Sequence, residues 1–77
     1  MTWSEMSPTD RAKVREQIYH VLRVEGASSQ VGVMHRLALD YATVGFALAA
    51  LVESKAVAAD NGVSGAPVIF RALALPN

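Results

Sequence analysis

The stretch Val33-Met34-His35-Arg36-Leu37-Ala38-Leu39-Asp40-Tyr41-Ala42-Thr43-Val44 decides the fold of this chain. It predicts the end of a short helix, a tight turn, and a further helix that begins after Asp40. The Asp40 carboxylate is suited to cap the free N–H groups of that helix's first turn. The apolar run that follows extends the helix to about Lys55, and the turn fixes how the helix is presented to a partner.

A longer helix is predicted upstream of this stretch. Ser7-Pro8-Thr9-Asp10 places a capping hydroxyl, a proline at the first helical position and an acid in the first turn, and Gly26 ends the helix. Apolar residues then recur at helical spacing on one stripe, which indicates a face turned to the core. These residues are Val14, Ile18, Val21 and Leu22.

The second helix follows a cap supplied by residues 27–30. Its apolar residues are expected to recur every three or four positions, although Gly32 weakens a helix by about 1 kcal/mol relative to alanine. The expected apolar positions are Val31, Met34, Leu37 and Ala38.

The third helix has two predicted faces, assigned from a rotation of about 100° per residue. The core face is expected to carry Val44, Leu48, Leu51, Val52 and the stem of Lys55. The outer face is expected to carry Ala42, Phe46, Ala49 and Glu53, with Thr43, Gly45 and Ala50 at its flanks.

The C-terminal third changes composition and predicts a β-hairpin. Residues 56–59 suit a short strand, residues 60–67 are rich in turn formers, and residues 68–73 are β-prone. Val68 and Phe70 are expected on one side of the second strand, with Ile69 and Arg71 on the other. The sequence therefore predicts a mainly α domain of the α+β class, with three helices followed by a hairpin and a further short strand left open.

Size and composition set further bounds. The 77 residues suffice for a single domain over 1–77, with residues 1–7 as an N-terminal arm and 74–77 as a tail. Seven basic and seven acidic residues give zero net charge, which counts against nucleic-acid binding without excluding it. Absence of cysteine and of a signal segment, and an apolar run too short for a bilayer, predict a soluble, cytoplasmic protein with no membrane partner.

Three helices followed by a hairpin, in this order and size, resemble the winged helix-turn-helix superfamily of small bacterial or phage proteins. The resemblance covers about residues 7–73. It rests on residues in the second helix, the turn, the third helix and its exit, and the last strand. These are Met34, Leu37, Leu39, Asp40, Thr43, Val44, Leu48, Leu51, Val52, residues 54–57 and Phe70.

The resemblance implies a small DNA-binding transcriptional regulator whose third helix enters the major groove and whose hairpin, the wing, touches the neighbouring backbone or minor groove. Such a regulator is expected to bind double-stranded DNA as a homodimer. The helix positions that match are Tyr41, Ala42, Thr43, Gly45, Phe46 and Ala49; His35 and Arg36 would lie near phosphates, and Ser64 and Arg71 would act from the wing. Base readout uses Arg, Lys, Asn, Gln or acidic side chains, and this helix departs from the family because it offers few of them. Thr43 is the best polar candidate on the helix.

The alternative function is a protein-interaction module. An outward Phe46 among Ala42, Gly45, Ala49 and Ala50 would form an apolar patch of the kind that marks interfaces. The partner interface is expected to include Trp3, Phe46 and Ala49. A homodimer or a heterologous protein partner fits this hypothesis, and an exposed Trp3 on the arm would either fold back onto the core or reach a second subunit.

Enzymatic activity is not expected. There is no cysteine nucleophile, no serine in a nucleophile elbow and no glycine-rich phosphate loop before a helix. His20 and His35, fifteen residues apart without cysteine, give weak support for a metal site. The sequence therefore predicts no cofactor and no metal.

Overall fold

The computed structural model describes residues 2–61 and 65–74. A 3-10 turn at Trp3–Glu5 precedes helix α1, Pro8–Glu25, and a two-residue strand β1, Ser28–Ser29. Helices α2, Gln30–Leu37, and α3, Tyr41–Glu53, follow. Strands β2, Val57–Asp60, and β3, Ile69–Ala72, complete the order. The predicted three helices and hairpin are confirmed, and β1 is the further short strand that the sequence left open.

The ends of α1 follow from its capping residues. The Ser7 hydroxyl accepts a hydrogen bond from the Asp10 N–H, and Pro8 occupies the first position, where its missing N–H costs nothing. Gly26 ends the helix with φ of 101°, a conformation that favours glycine. Val14, Ile18, Val21 and Leu22 are its buried residues, as predicted.

The turn between α2 and α3 is built by two caps. Ala38 adopts the left-handed conformation, with φ of 54°, and its N–H bonds the Met34 carbonyl at the end of α2. Asp40 then caps α3, because its carboxylate accepts from the N–H of Thr43. The predicted α2 stripe is wrong in part, since Val33 is the fully buried residue of this helix while Val31 and Ala38 are exposed.

The sheet has the order β1-β3-β2, with antiparallel pairing throughout. Phe70 in the central strand pairs with Ser28 on one side and Ala59 on the other. Ile69 and Arg71 are exposed while Phe70 and Ala72 are half-buried, so the predicted alternation along β3 is confirmed. The hairpin is thereby fastened to the start of α2 through β1.

The core lies between α1, α2, α3 and β2. Its fully buried side chains come from each of these elements, which makes the three helices and the sheet one packing unit. The largest are Ile18, Leu48, Val33, Val44 and Val57, together with Thr43. No single helix in the described parts of the chain is long and apolar enough to cross a membrane; α2 and α3 pass on length and composition together but are bent by 117°.

Candidate nucleic-acid interface

The outer face of α3 is an exposed apolar surface. Phe46 is 57% exposed and Tyr41 is 55% exposed, and both alanines predicted on this face, Ala42 and Ala49, are also exposed. Phe46 therefore points out of its own subunit, as the helical periodicity predicted. We call Tyr41, Ala42, Phe46 and Ala49 the α3 outer face.

Thr43 does not belong to this face, which corrects the sequence prediction. Its side chain is fully buried, its hydroxyl donates to Asp40 Oδ1 at 2.7 Å, and its N–H donates to Asp40 Oδ2 at 3.0 Å. Both hydrogen bonds hold the pKa of the Asp40 carboxyl below its usual range, and the bond from the Thr43 hydroxyl has the larger effect. Thr43 thus fixes the start of α3 and has no hydroxyl proton to offer a base.

The core face of α3 also differs from the prediction. Ala47 joins Val44, Leu48 and Leu51 in the core, while Val52 is only half-buried. Lys55 lies beyond the end of the helix, exposed and with φ of 66°, so its stem is not on the core face. The buried stripe is therefore rotated from the predicted one towards Thr43 and Ala47.

Sequence reasoning missed the polar group that lies on α3. The Gln30 amide reaches across from the first turn of α2, and its Nε2 donates to the Tyr41 carbonyl at 3.0 Å. Gly45 makes room for it, because a Cβ at this position would lie 2.6 Å from Gln30 Nε2. The signal available in the sequence was a glycine in the middle of an otherwise apolar helix, which often marks close approach.

The two arginines predicted to contact DNA are each paired with a carboxylate. Arg36 at the end of α2 pairs with Glu25 at 2.6 Å, and Arg71 on β3 pairs with Asp60 at 2.8 Å. All four side chains are about half exposed, and such surface pairs contribute only about 0–1 kcal/mol. A phosphate can therefore compete for either arginine at small cost. His35, in the last turn of α2, is exposed.

The N-terminal arm folds back onto its own chain. Trp3 packs against the core, and the Arg11 guanidinium lies 5.3 Å from the centre of its ring while Arg11 Nε donates to the Trp3 carbonyl at 2.9 Å. Of the two arrangements considered for the arm, the intramolecular one is present here, and Trp3 is half-buried against the core. Ser64, the predicted wing-tip contact, lies outside the described residues.

A groove of about 360 Å³ lies beside the α3 outer face. It runs between the first turns of α2 and α3 and the approach to β3, and Gln30, Tyr41 and Pro67 stand along it. A second, shallower groove of about 730 Å³ lies between α1 and the C-terminal end of α3, lined by Arg15, His20 and neighbours, and holds none of the predicted site residues. Within residues 2–61 and 65–74, no three His, Asp or Glu side chains lie close enough together to hold a metal ion.

Comparison with known proteins places this geometry in a known fold. The structure is similar to the Zalpha domain of Carassius auratus PKZ, solved in complex with Z-DNA, with a TM-score of 0.76 and 23% sequence identity. The match covers 83% of this chain and 98% of that domain. No family model and no curated protein matches the sequence. The fold is a winged helix-turn-helix of the α+β class, in which the β2–β3 hairpin is the wing.

Proposed function

We propose that this chain is a DNA-binding domain that presents the α3 outer face and the wing to a duplex. The observation that carries the proposal is the structural similarity of this chain to a domain solved in complex with Z-DNA. The match covers 98% of that domain. A fold admits many functions, so the proposal also needs support from the surface itself.

The chemistry of the surface favours recognition of duplex shape over recognition of base sequence. Base readout requires hydrogen-bonding side chains aimed at base edges, and on the α3 outer face the Tyr41 hydroxyl is the one such group beside Phe46 and two alanines. Contacts to phosphate and sugar carry no sequence information and position the protein on the duplex. Left-handed DNA, whose backbone geometry differs from that of B-DNA, is therefore the first candidate ligand.

The charge distribution predicts that DNA is bound weakly and through few phosphate contacts. The net charge is zero, and the two arginines predicted to contact the DNA backbone, Arg36 and Arg71, are each paired with a carboxylate. Each phosphate neutralised changes the slope of log K against log salt by about 0.9 for B-DNA. We expect a shallow slope, with Arg36→Ala and Arg71→Ala each lowering it by about 1.

The test is a titration of the full chain with an alternating cytosine–guanine duplex held in the left-handed form by base modification, and with the unmodified right-handed duplex. Fluorescence anisotropy at low salt measures affinity, and circular dichroism of the DNA reports its handedness. Phe46→Ala is expected to weaken binding, whereas Val24→Ala is the matched control because Val24 is 67% exposed on α1. Failure to bind either duplex at low salt would contradict the proposal.

In its fuller form, the proposal is a small transcriptional regulator that acts in the cytoplasm as a homodimer on double-stranded DNA, without catalytic activity of its own. A dimer doubles a small basic surface, which suits a neutral chain. A promoter-bound role is tested by recovery of specific genomic fragments after crosslinking; random recovery contradicts it.

A second candidate function is a protein-interaction module, and the exposure of Phe46 favours it. An exposed apolar surface around Phe46 and Tyr41 is of the kind that a partner covers, and both arginines predicted to contact DNA, Arg36 and Arg71, are already paired with acids. Light scattering over a range of concentrations is expected to show a dimer that Phe46→Ala converts to monomer and Val24→Ala leaves intact. A wild-type monomer at every concentration contradicts self-association through this face.

A further inference from the structure

Gln30 is the first residue of α2, but its side-chain amide packs against the first turns of α3. One N–H of its amide donates to the Tyr41 carbonyl at 3.0 Å, which fixes the side chain across the first turn of α3. The amide can lie there because residue 45 is glycine. A Cβ on residue 45 would lie 2.6 Å from Gln30 Nε2 and 3.5 Å from Gln30 Cδ. Real Cβ atoms do not approach this closely, so any other residue at 45 would displace the amide.

The Gln30 amide can form more hydrogen bonds than the one it makes to Tyr41. A glutamine amide has two N–H donors and an acceptor oxygen. A Cβ on residue 45 would lie 3.9 Å from the Gln30 oxygen, so the amide nitrogen, not the oxygen, is the atom held close to α3. Within the described residues, the Tyr41 carbonyl is the one partner that this side chain has. The second N–H and Oε1 are thus available in a side chain whose orientation is already fixed, so little conformational entropy is lost on binding.

The amide also stands between the two elements that the proposed function presents to DNA. Gln30 and Tyr41 line the groove that ends at Pro67 and Val68, at the approach to β3. On one side is the α3 outer face, which lacks amide and cationic side chains of its own, and on the other is the wing.

We propose that Gln30 is the polar contact of this surface, donating its second amide N–H to a phosphodiester oxygen of the duplex. Glutamine side chains commonly contact phosphates in this way, and the contact positions the protein without reading sequence. The inference rests on the proposed function and adds to it a residue outside the third helix. Because the amide is neutral, it releases no counterion, which separates its contribution from that of the arginines.

The first test compares Gln30→Ala, Gln30→Glu and Arg36→Ala on the left-handed cytosine–guanine duplex. A hydrogen bond to a charged group predicts that Gln30→Ala weakens binding about tenfold, with the slope of log K against log salt unchanged. Gln30→Glu is expected to bind more weakly still, because its carboxylate faces a phosphate. Arg36→Ala is expected to lower the slope by about 1 instead.

The second test is a double-mutant cycle with Gly45→Ala. This variant displaces the amide while giving α3 a better helix former, so it is expected to fold and to lose as much affinity as Gln30→Ala. The two losses are expected not to add in the double variant, because both remove the same contact. Thermal melts of each variant confirm that the compared proteins are folded.

The outcomes separate this inference from the proposed function. Wild-type binding together with unaltered affinity of Gln30→Ala overturns the inference alone. Additive losses in the cycle, or a changed salt slope in Gln30→Ala, overturn it as well. Absence of DNA binding by the wild-type chain overturns both proposals.

Discussion

Asp40 decides where α3 begins and responds to pH. Its carboxylate accepts two hydrogen bonds from Thr43, one from the hydroxyl and one from the backbone N–H. Both bonds favour the ionised form, which is why the pKa of Asp40 lies below the ordinary value of an aspartate. A lowered pKa in the folded state means that this group stabilises the fold above its unfolded pKa, and that the contribution is lost as the pH falls through the folded value.

We therefore predict that Asp40→Asn removes an acid-dependent part of the stability. Asparagine still caps the helix by accepting from the Thr43 N–H, but its amide does not titrate. Thermal melts from neutral pH to about pH 2 are expected to show the wild type more stable near neutrality and the difference shrinking in acid. Parallel melting profiles for the two proteins would show that the Asp40 charge contributes nothing.

At this scale, the sequence predicts caps well and side-chain partners poorly. Ser7 and Asp40 cap their helices as expected, because a cap depends on residues within three positions of it. Thr43 and Gln30 could not be assigned in the same way. The burial of Thr43 depends on how α3 packs, and the contact of Gln30 with Tyr41 spans eleven positions.

Among the elements, α2 shows a conflict between helix propensity and packing. Gly32 lies in its first turns, where alanine is favoured by about 1 kcal/mol. A Cβ at this position, however, would lie 2.2 Å from the Oγ of Ser28, in the strand that joins α2 to the sheet. The glycine thus lets β1 lie close against the start of the helix.

We predict that Gly32→Ala gives little or no gain in stability, because the Ser28 hydroxyl must move and loses its contact with the Ser29 carbonyl. In a Ser28→Ala background, the same change is expected to stabilise the protein by up to about 1 kcal/mol. Urea denaturation of the four proteins, with Ser28→Ala as the control, measures the difference. Equal effects of Gly32→Ala in both backgrounds would contradict the clash.

The elements were predictable where their signals are local and periodic. The predicted α1 and hairpin match the structure because their caps, stripe and turn formers lie in the elements themselves. The strand β1 has two residues and exists through pairing with β3, about forty positions later, so propensity alone cannot reveal it. The rotation of α3 was misjudged because nearly all its residues are apolar, which leaves periodicity little contrast.

In the whole molecule, the packing of the three helices with β2 decides which side of α3 is buried and which is exposed. The inner sides of α1, α2 and α3 form the core with β2, while the α3 outer face remains exposed beside the Gln30 amide and the wing. The neutral chain thus presents aromatic area and one fixed amide where a basic surface would otherwise be expected. The helix that carries this face is fixed in place by the packing of its other side into the core.

Among the described residues, the side-chain hydrogen bond with the largest sequence separation joins α1 to the chain just after β3. The Tyr19 hydroxyl of α1 donates to the Leu73 carbonyl at 2.7 Å across 54 positions, and Arg23 donates to the same hydroxyl at 3.2 Å. The Leu73 N–H bonds the Ala56 carbonyl at 2.9 Å, so the chain just beyond β3 is fastened both to α1 and to the start of β2. This hydroxyl ties the sheet to the helix behind it.

We predict that Tyr19→Phe destabilises the whole domain by about 1 kcal/mol, because it removes the part-buried hydrogen bond to Leu73, together with the exposed one from Arg23, and leaves the ring in place. For a domain of this size, such a loss lowers Tm by about 4–8 °C. Tyr41→Phe is the matched control: Tyr41 is 55% exposed, so removal of its hydroxyl is expected to leave Tm unchanged. Calorimetry decides between these expectations, and equal melting of Tyr19→Phe and wild type would mean that the bond to Leu73 does not stabilise the packing of the last strand against α1.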